Sequence, residues 1–156
     1  MGEKEMNELL GSTFETSLRI SLLLNEFRDT PLDEQQICCI DFIAIYGADF
    51  GLLDENLHGN GLFRLSEFSA KSKLVSLALK KLVLNSSISF ISNHSGYLYL
   101  IANAGKETVK KIHNSYVKEY QIAIREVYAK FPSLDVSHMQ KQIYKMTINS
   151  LEVHNE

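Results

Sequence analysis

Cysteine and proline are scarce in this chain of 156 residues, with two of each. The cysteines, Cys38 and Cys39, are adjacent within an apolar segment. Neighbouring side chains on a helix point about 100° apart, so the pair makes no ordinary disulfide. A reducing cytoplasm is the expected location. No apolar run approaches the roughly 20 residues of a membrane-spanning helix; the stretch Ile20 to Leu24 is apolar but short. Met1-Gly-Glu-Lys-Glu has no basic start leading into an apolar stretch, so no secretory signal is expected. Of the eight glycines, Gly47, Gly51, Gly59 and Gly61 cluster, but in neither the dinucleotide-binding nor the phosphate-loop spacing. There is no Gly-x-Ser-x-Gly nucleophile elbow, and the five histidines stand far apart. No internal repeat or low-complexity tract is present. These absences lead to the expectation of a binding module, not an enzyme, with no cofactor.

What is present is an ordinary globular balance, 45% hydrophobic and 22% charged. The net charge of −3 hides a strong asymmetry. Residues 1–63 carry 3 Lys/Arg against 12 Asp/Glu, whereas residues 64–145 carry 13 against 5. Either the surface is made for charged partners or the two stretches neutralise each other in the fold.

The central stretch is Phe63 to Ile101. Phe68, Val75, Ala78, Leu79 and Leu82 recur at helical spacing, which predicts a helix from near Ser66 to Leu84 with one core face. Ser87-Ile-Ser-Phe then alternates with period two, Asn93-His-Ser-Gly96 makes a turn, and Tyr97 to Ile101 returns as a second strand. A helix followed by a hairpin is half of a winged helix-turn-helix. The expected class is therefore mainly α with a small β-hairpin: a winged helix-turn-helix-like core with additional C-terminal helices. Four segments are expected: a flexible start over 1–12, the winged-helix-like domain over 13–102, a helical extension over 103–151 and a loose tail over 152–156.

Before that stretch, Ser12 or Thr13 can cap a first helix. Its apolar residues form two groups, Phe14, Leu18 and Leu22 in one and Ile20, Leu23, Leu24 and Phe27 in the other. A helix apolar on two sides is central or lies at an interface. Pro31 separates it from a second helix, Leu32 to Tyr46, which is apolar nearly all round. Its single internal charge, Asp41, sits on a thin exposed stripe with Glu34, pairs with a base of a neighbouring element, or is catalytic. Catalysis is the weakest of these, since no second carboxylate or His lies within a helical turn. The stretch from Gly47 to Leu65 reads as an interface loop. Its Asp49, Asp54, Glu55 and His58 match no calcium or zinc spacing.

On the polar face of the third helix, Leu77 and Leu84 project among lysines, which suggests a protein contact. Arg64, Lys71, Lys73, Lys80 and Lys81 are candidate phosphate contacts. The helix lacks the Arg, Asn and Gln set that reads base edges. After the hairpin, Val109, Ile112, Tyr116, Tyr120, Ala123, Val127 and Phe131 form a stripe, with a possible break at His113-Asn-Ser115. Pro132 stops it. Ser133 or Asp135 caps a last helix through Leu151, with Val136, Met139, Ile143 and Met146 inward.

Several segments carry a resemblance: Phe14-Glu-Thr-Ser-Leu-Arg-Ile-Ser-Leu-Leu-Leu24, Ile40-Asp-Phe-Ile-Ala-Ile-Tyr-Gly-Ala-Asp49, Asn56-Leu-His58 and Phe63-Arg-Leu-Ser-Glu-Phe68, followed by the lysine-bearing helix, the hairpin and the tyrosine-containing helix. In order and spacing, over about residues 12–135, they resemble the second family of middle components of bacterial ABC-three-component systems. The small subunit of Lamassu-type anti-phage and anti-plasmid defence systems is similar to that family. The chain departs from the pattern at Ala70-Lys-Ser-Lys73, where a paired basic motif is usual, and at Gly59-Asn-Gly61, where prolines are common. The resemblance implies a non-enzymatic adaptor between an SMC-like ATPase and an effector, often a nuclease, with DNA met mainly through the complex and no membrane partner. Asp49, His58, Arg64, Glu67, Leu77, Tyr116 and Tyr120 are the candidate partner-facing residues. The alternative reading is a winged-helix DNA-binding transcriptional regulator.

Overall fold

The computed structural model describes the backbone of residues 3–58 and 64–155, and the side chains of residues 13–58 and 66–149. Among the described residues there are six helices and one three-stranded antiparallel sheet: α1 (Glu3–Glu26), β1 (Leu32–Asp33), α2 (Glu34–Ile45), α3 (Arg64–Leu84), β2 (Ile88–Asn93), β3 (Gly96–Ile101), α4 (Asn103–Lys110), α5 (Ser115–Lys130) and α6 (Val136–Asn155). The chain groups into two compact units. Unit 1 comprises residues 1–34 and 72–112; unit 2 comprises residues 35–71 and 113–156.

Unit 1 holds α1, the sheet, the C-terminal part of α3, and α4. Helix α1 starts at Glu3, so Ser12 and Thr13 lie within it and cap nothing. Glu, Lys, Met and Leu are good helix formers, no proline interrupts them, and acids in the first turn oppose the helix dipole favourably. Of its two apolar groups, Leu22, Ile20, Leu23, Leu24 and Phe27 are buried, but Phe14 is 64% exposed. The buried surface extends to polar side chains instead: Arg19 is 1% exposed and its Nη2 donates to Thr16 Oγ1 at 3.3 Å. In α3, Val75, Ala78, Leu79 and Leu82 are buried as their spacing requires.

The sheet order is β1-β3-β2. Leu32 and Asp33, expected at the start of a helix, instead pair with Tyr99 and Leu98 of β3. Pro31 keeps the preceding chain extended and leaves the helix to start at Glu34. The hairpin closes at Asn93 and Gly96. Gly96 has φ of +130°, a conformation that favours glycine, and Asn93 Oδ1 accepts from the Ser95 backbone N–H at 2.9 Å. Helix α4 approaches the strand so closely that a Cβ on Gly105 would collide with the Ser87 carbonyl oxygen.

Unit 2 is built on α2, where every residue from Ile37 to Ile45 is buried. This is the physical sense of a helix apolar on all sides. Phe42 is 1% exposed, its ring set edge-on to Tyr46 and Phe68 at centroid distances of 5.0 and 5.2 Å. The chain breaks between α4 and α5 at the expected place, with Asn114 Oδ1 capping α5 by accepting from Val117 N–H at 2.9 Å. Val117, Tyr120, Ala123, Ile124 and Val127 form the buried side of α5. Asp135 Oδ1 accepts from Ser137 N–H at 3.1 Å at the start of α6, whose Met139 and Ile143 are buried. That helix runs on to Asn155, past the expected end at Leu151.

Candidate partner-binding surfaces

In unit 1 the C-terminal part of α3 and the hairpin enclose an open groove of about 390 Å³. Leu79, Val83 and Leu84 form the helical wall, Phe90, Tyr97 and Tyr99 the sheet wall, and Glu34 and Lys80 contribute the charge. The register explains the sheet wall. Phe90 lies opposite Tyr99, and Ile88 opposite Ile101, so alternate residues share one face. Ile88 and Ile101 are buried, whereas Phe90 and Tyr97, ring to ring at 5.2 Å, are each about half exposed. The Tyr99 hydroxyl has its pKa raised above the usual 10, chiefly because the ring is partly removed from water, and further by the Glu34 carboxylate and Tyr97. Above the groove, Leu77 is 46% and Leu84 85% exposed, and Lys73 and Lys80 are exposed beside them on the same helix. Lys81, also exposed, places Nζ 5.9 Å from the centroid of the Phe14 ring.

In unit 2, α6 presents a comparable combination. Tyr144 and Ile148 are 56% and 41% exposed and, with Lys141, Lys145, Ser137 and Gln140, line a shallow depression of about 440 Å³. In both units, then, an apolar pair one or two turns apart projects between lysines on one helix face.

Of the other candidate residues of unit 2, Tyr120 lies in the interior and the rest of the described ones are half-buried. Tyr120 was expected at a partner surface, but it is 0% exposed and its hydroxyl donates to Asp41 Oδ1 at 2.6 Å. A partner-facing Tyr120 is thereby corrected: the stripe on α5 is core. Asp41 is itself 1% exposed, so it lies on no exposed stripe. A buried carboxylate is costly unless hydrogen-bonded, and the tyrosine from α5 supplies that bond. His58 and Tyr116 are brought together, Nε2 to hydroxyl at 2.9 Å, and both are half-buried. The loop before His58 folds on Asn56, whose Oδ1 accepts from the backbone N–H groups of Ala48 and Asp49 at 2.9 and 3.2 Å. Asp49 and Glu67 are half-buried, as is Lys71. The Arg64 side chain and residues 59–63, including Phe63, lie outside the described residues. Among the described residues, no group of three or more His, Cys, Asp or Glu gathers as a metal site would require.

The profile of the whole sequence decides the family. Residues 9–153 match the family model of the ABC-three component (ABC-3C) system Middle Component 2. The chain belongs to this family. No curated protein and no solved structure matches it. Membership as a middle component implies a role in a defence-type system and implies partner components. No helix among the described residues is long and apolar enough to cross a membrane.

Of this middle component's two lysine-flanked surfaces, the sequence showed one. Leu77 and Leu84 stood out because leucine is unexpected among lysines on a polar helix face. Tyr144 and Ile148 lie off the inward stripe of α6, and a pair one turn apart is too short a pattern for spacing to single out. The sheet wall of the groove was missed as well. A period-two pattern identifies a strand but does not say which face is left uncovered.

Proposed function

We propose that this middle component is a non-enzymatic adaptor that bridges an SMC-like ATPase and an effector nuclease in an anti-phage or anti-plasmid system of the Lamassu type. The observation that carries this reading is the family match along residues 9–153, because a middle component has partner components to join. The surfaces described above support it. A bridge needs two places to bind, and each unit has one: Leu77 and Leu84 with Lys73 and Lys80, and Tyr144 and Ile148 with Lys141 and Lys145. Apolar side chains flanked by cations suit partner surfaces that are apolar at the centre and acidic at the rim.

The winged-helix reading of the core belongs to this proposal. The element order α1-β1-α2-α3-β2-β3 and the strand order β1-β3-β2 support it. In a DNA reader the exposed face of α3 would meet the major groove. Here that face offers Lys73, Leu77, Lys80 and Leu84, which suit phosphates and a protein surface better than base edges.

Coexpression with the products of the neighbouring genes tests the function. A complex containing this chain, an SMC-like ATPase and a nuclease is expected to survive purification at moderate salt. Purification of the chain alone, with salt-dependent binding to DNA that Lys73→Glu and Lys80→Glu abolish, would favour the transcriptional regulator.

A further inference from the structure

Strand β2 forms one edge of the sheet, because β3 lies between it and β1. Its hairpin closes with a two-residue turn between Asn93 and Gly96. In such a hairpin the closing pair is hydrogen-bonded, and bonded pairs then alternate along the ladder. Asn93, Ile91 and Ser89 therefore turn their N–H and C=O groups towards β3. The bond from Ala102 N–H to Ser87 O, at 3.0 Å, continues the same alternation. Phe90 and Ser92 turn theirs outward, away from the sheet. All residues from Ser89 to Asn93 are exposed.

Natural edge strands are normally protected against pairing by a lysine, a proline, a bulge or a covering element. The β2 sequence Ile-Ser-Phe-Ile-Ser-Asn has neither lysine nor proline, and its register with β3 is unbroken by a bulge. From Leu82 to Gly105 the chain carries no Asp, Glu, Lys or Arg at all. An edge so free of charge, in a chain whose other segments all carry charges, is open to pairing.

We infer that β2 pairs antiparallel with β2 of a second copy of this chain, about a two-fold axis at Ile91. The strand is complementary to itself in this register. Phe90 of each copy lies opposite Ser92 of the other, so a large ring meets a small side chain on both sides of the axis. Each of these pairs exchanges both N–H···O bonds through the groups that turn outward. Ile91, 48% exposed, meets Ile91 of the second copy directly across the axis, in the close non-bonded position where apolar cross-strand pairs contribute most. No like charges are brought together, as a self-paired charged strand would require. A closed two-fold contact of this kind joins two sheets into one and removes both exposed edges.

Light scattering after size exclusion, on the full chain over a wide concentration range, tests the inference. The wild type is expected at twice the 17.7 kDa chain mass. Ser92→Pro removes one outward N–H and leaves the bonds to β3 in place, so it is expected to give a monomer with unchanged far-ultraviolet circular dichroism. Ile91→Lys and Ile91→Glu are each expected to be monomeric, since each sets like charges against each other, and an equimolar mixture of the two is expected to return to the dimer mass. This exchange acts through an exposed side chain and decides the matter even if the proline variant fails to fold. A wild type at the single-chain mass throughout would overturn the inference. So would a dimer that persists unchanged in the folded Ile91→Lys and Ile91→Glu variants. If β2 instead accepts a strand from a different protein, the isolated wild type is monomeric, and the inference is equally overturned.

Discussion

The α2–α5 core of unit 2 and the α3–hairpin region of unit 1 differ in what they do with polar and apolar groups, although α5 also leaves Ile122 and Tyr128 about half exposed. In unit 2, polar side chains are drawn inside and given partners. Asp41 and Tyr120 meet in the core, and His58 and Tyr116 meet just beneath the surface. In unit 1, apolar side chains are left outside. Leu84, Tyr97, Phe90, Ile91 and Leu77 are all between 46% and 85% exposed. Leaving a single leucine exposed means little, but exposing a group of large apolar side chains forgoes stabilisation that burial would provide, on the order of 1.5–3 kcal/mol for each side chain. The difference suggests that sequence in the first region is constrained by folding and in the second by binding. It also warns that tyrosines and a histidine in one segment of sequence need not be surface features.

Substitutions sharpen this contrast, and the largest effect is expected inside unit 2. Phe42→Ala removes a buried ring that touches two others, so chemical denaturation should show a loss of about 3–5 kcal/mol. A loss below about 1 kcal/mol would mean that α2 is not the centre of a packed core. Next, Tyr120→Phe removes only a hydroxyl. Because that hydroxyl serves a buried carboxylate, a loss of about 1–3 kcal/mol is expected by the same measurement, and a neutral result would break the claim that the Asp41–Tyr120 bond is structural.

In unit 1 the effects on stability are smaller. Tyr99 has a raised pKa in the folded protein, chiefly from partial burial. For a group whose folded pKa lies above its unfolded value, the stabilisation is complete below the unfolded value of about 10 and is lost as pH rises through the folded pKa. Stability should therefore fall with increasing pH in the alkaline range, and Tyr99→Phe should flatten that fall; identical alkaline profiles for the two proteins would contradict it. Smallest of all, Leu77→Ser and Leu84→Ser should each change stability by less than about 1 kcal/mol, because Leu84 stands mostly in water and Leu77 is nearly half exposed. A melting temperature markedly lowered by either would show that these leucines belong to the core.

Much of the fold was legible because its signals are local. The apolar spacing in α3, the alternation and Asn-His-Ser-Gly turn of the hairpin, and the break at Asn114 depend on residues close together in the chain. The missing pieces depend on tertiary context. Leu32 and Asp33 form a strand only because β3 is there to pair with them, and two residues carry no period of their own. Phe14 looks like core on a helical wheel, and only the packing of its surroundings leaves it outside. Arg19 looks like surface and is buried. The Asp41–Tyr120 bond joins positions 79 residues apart, and nothing in the spacing of either residue announces the other. For the binding surfaces, the lysine-flanked leucines of α3 were visible as an anomaly of pattern. The groove and the open edge of β2 required the register.

The most direct test of the contrast is whether exposed apolar residues can be changed without unfolding the protein but with loss of a partner. The doubly substituted Leu77→Glu, Leu84→Glu chain should be coexpressed with the neighbouring gene products, and the composition of the purified complex compared with that of the wild type. The expected result is a chain with an unchanged melting temperature that has lost one partner component and kept the other. Retention of both components at wild-type stoichiometry, by a variant that carries glutamates at both positions, would contradict a binding role for this face.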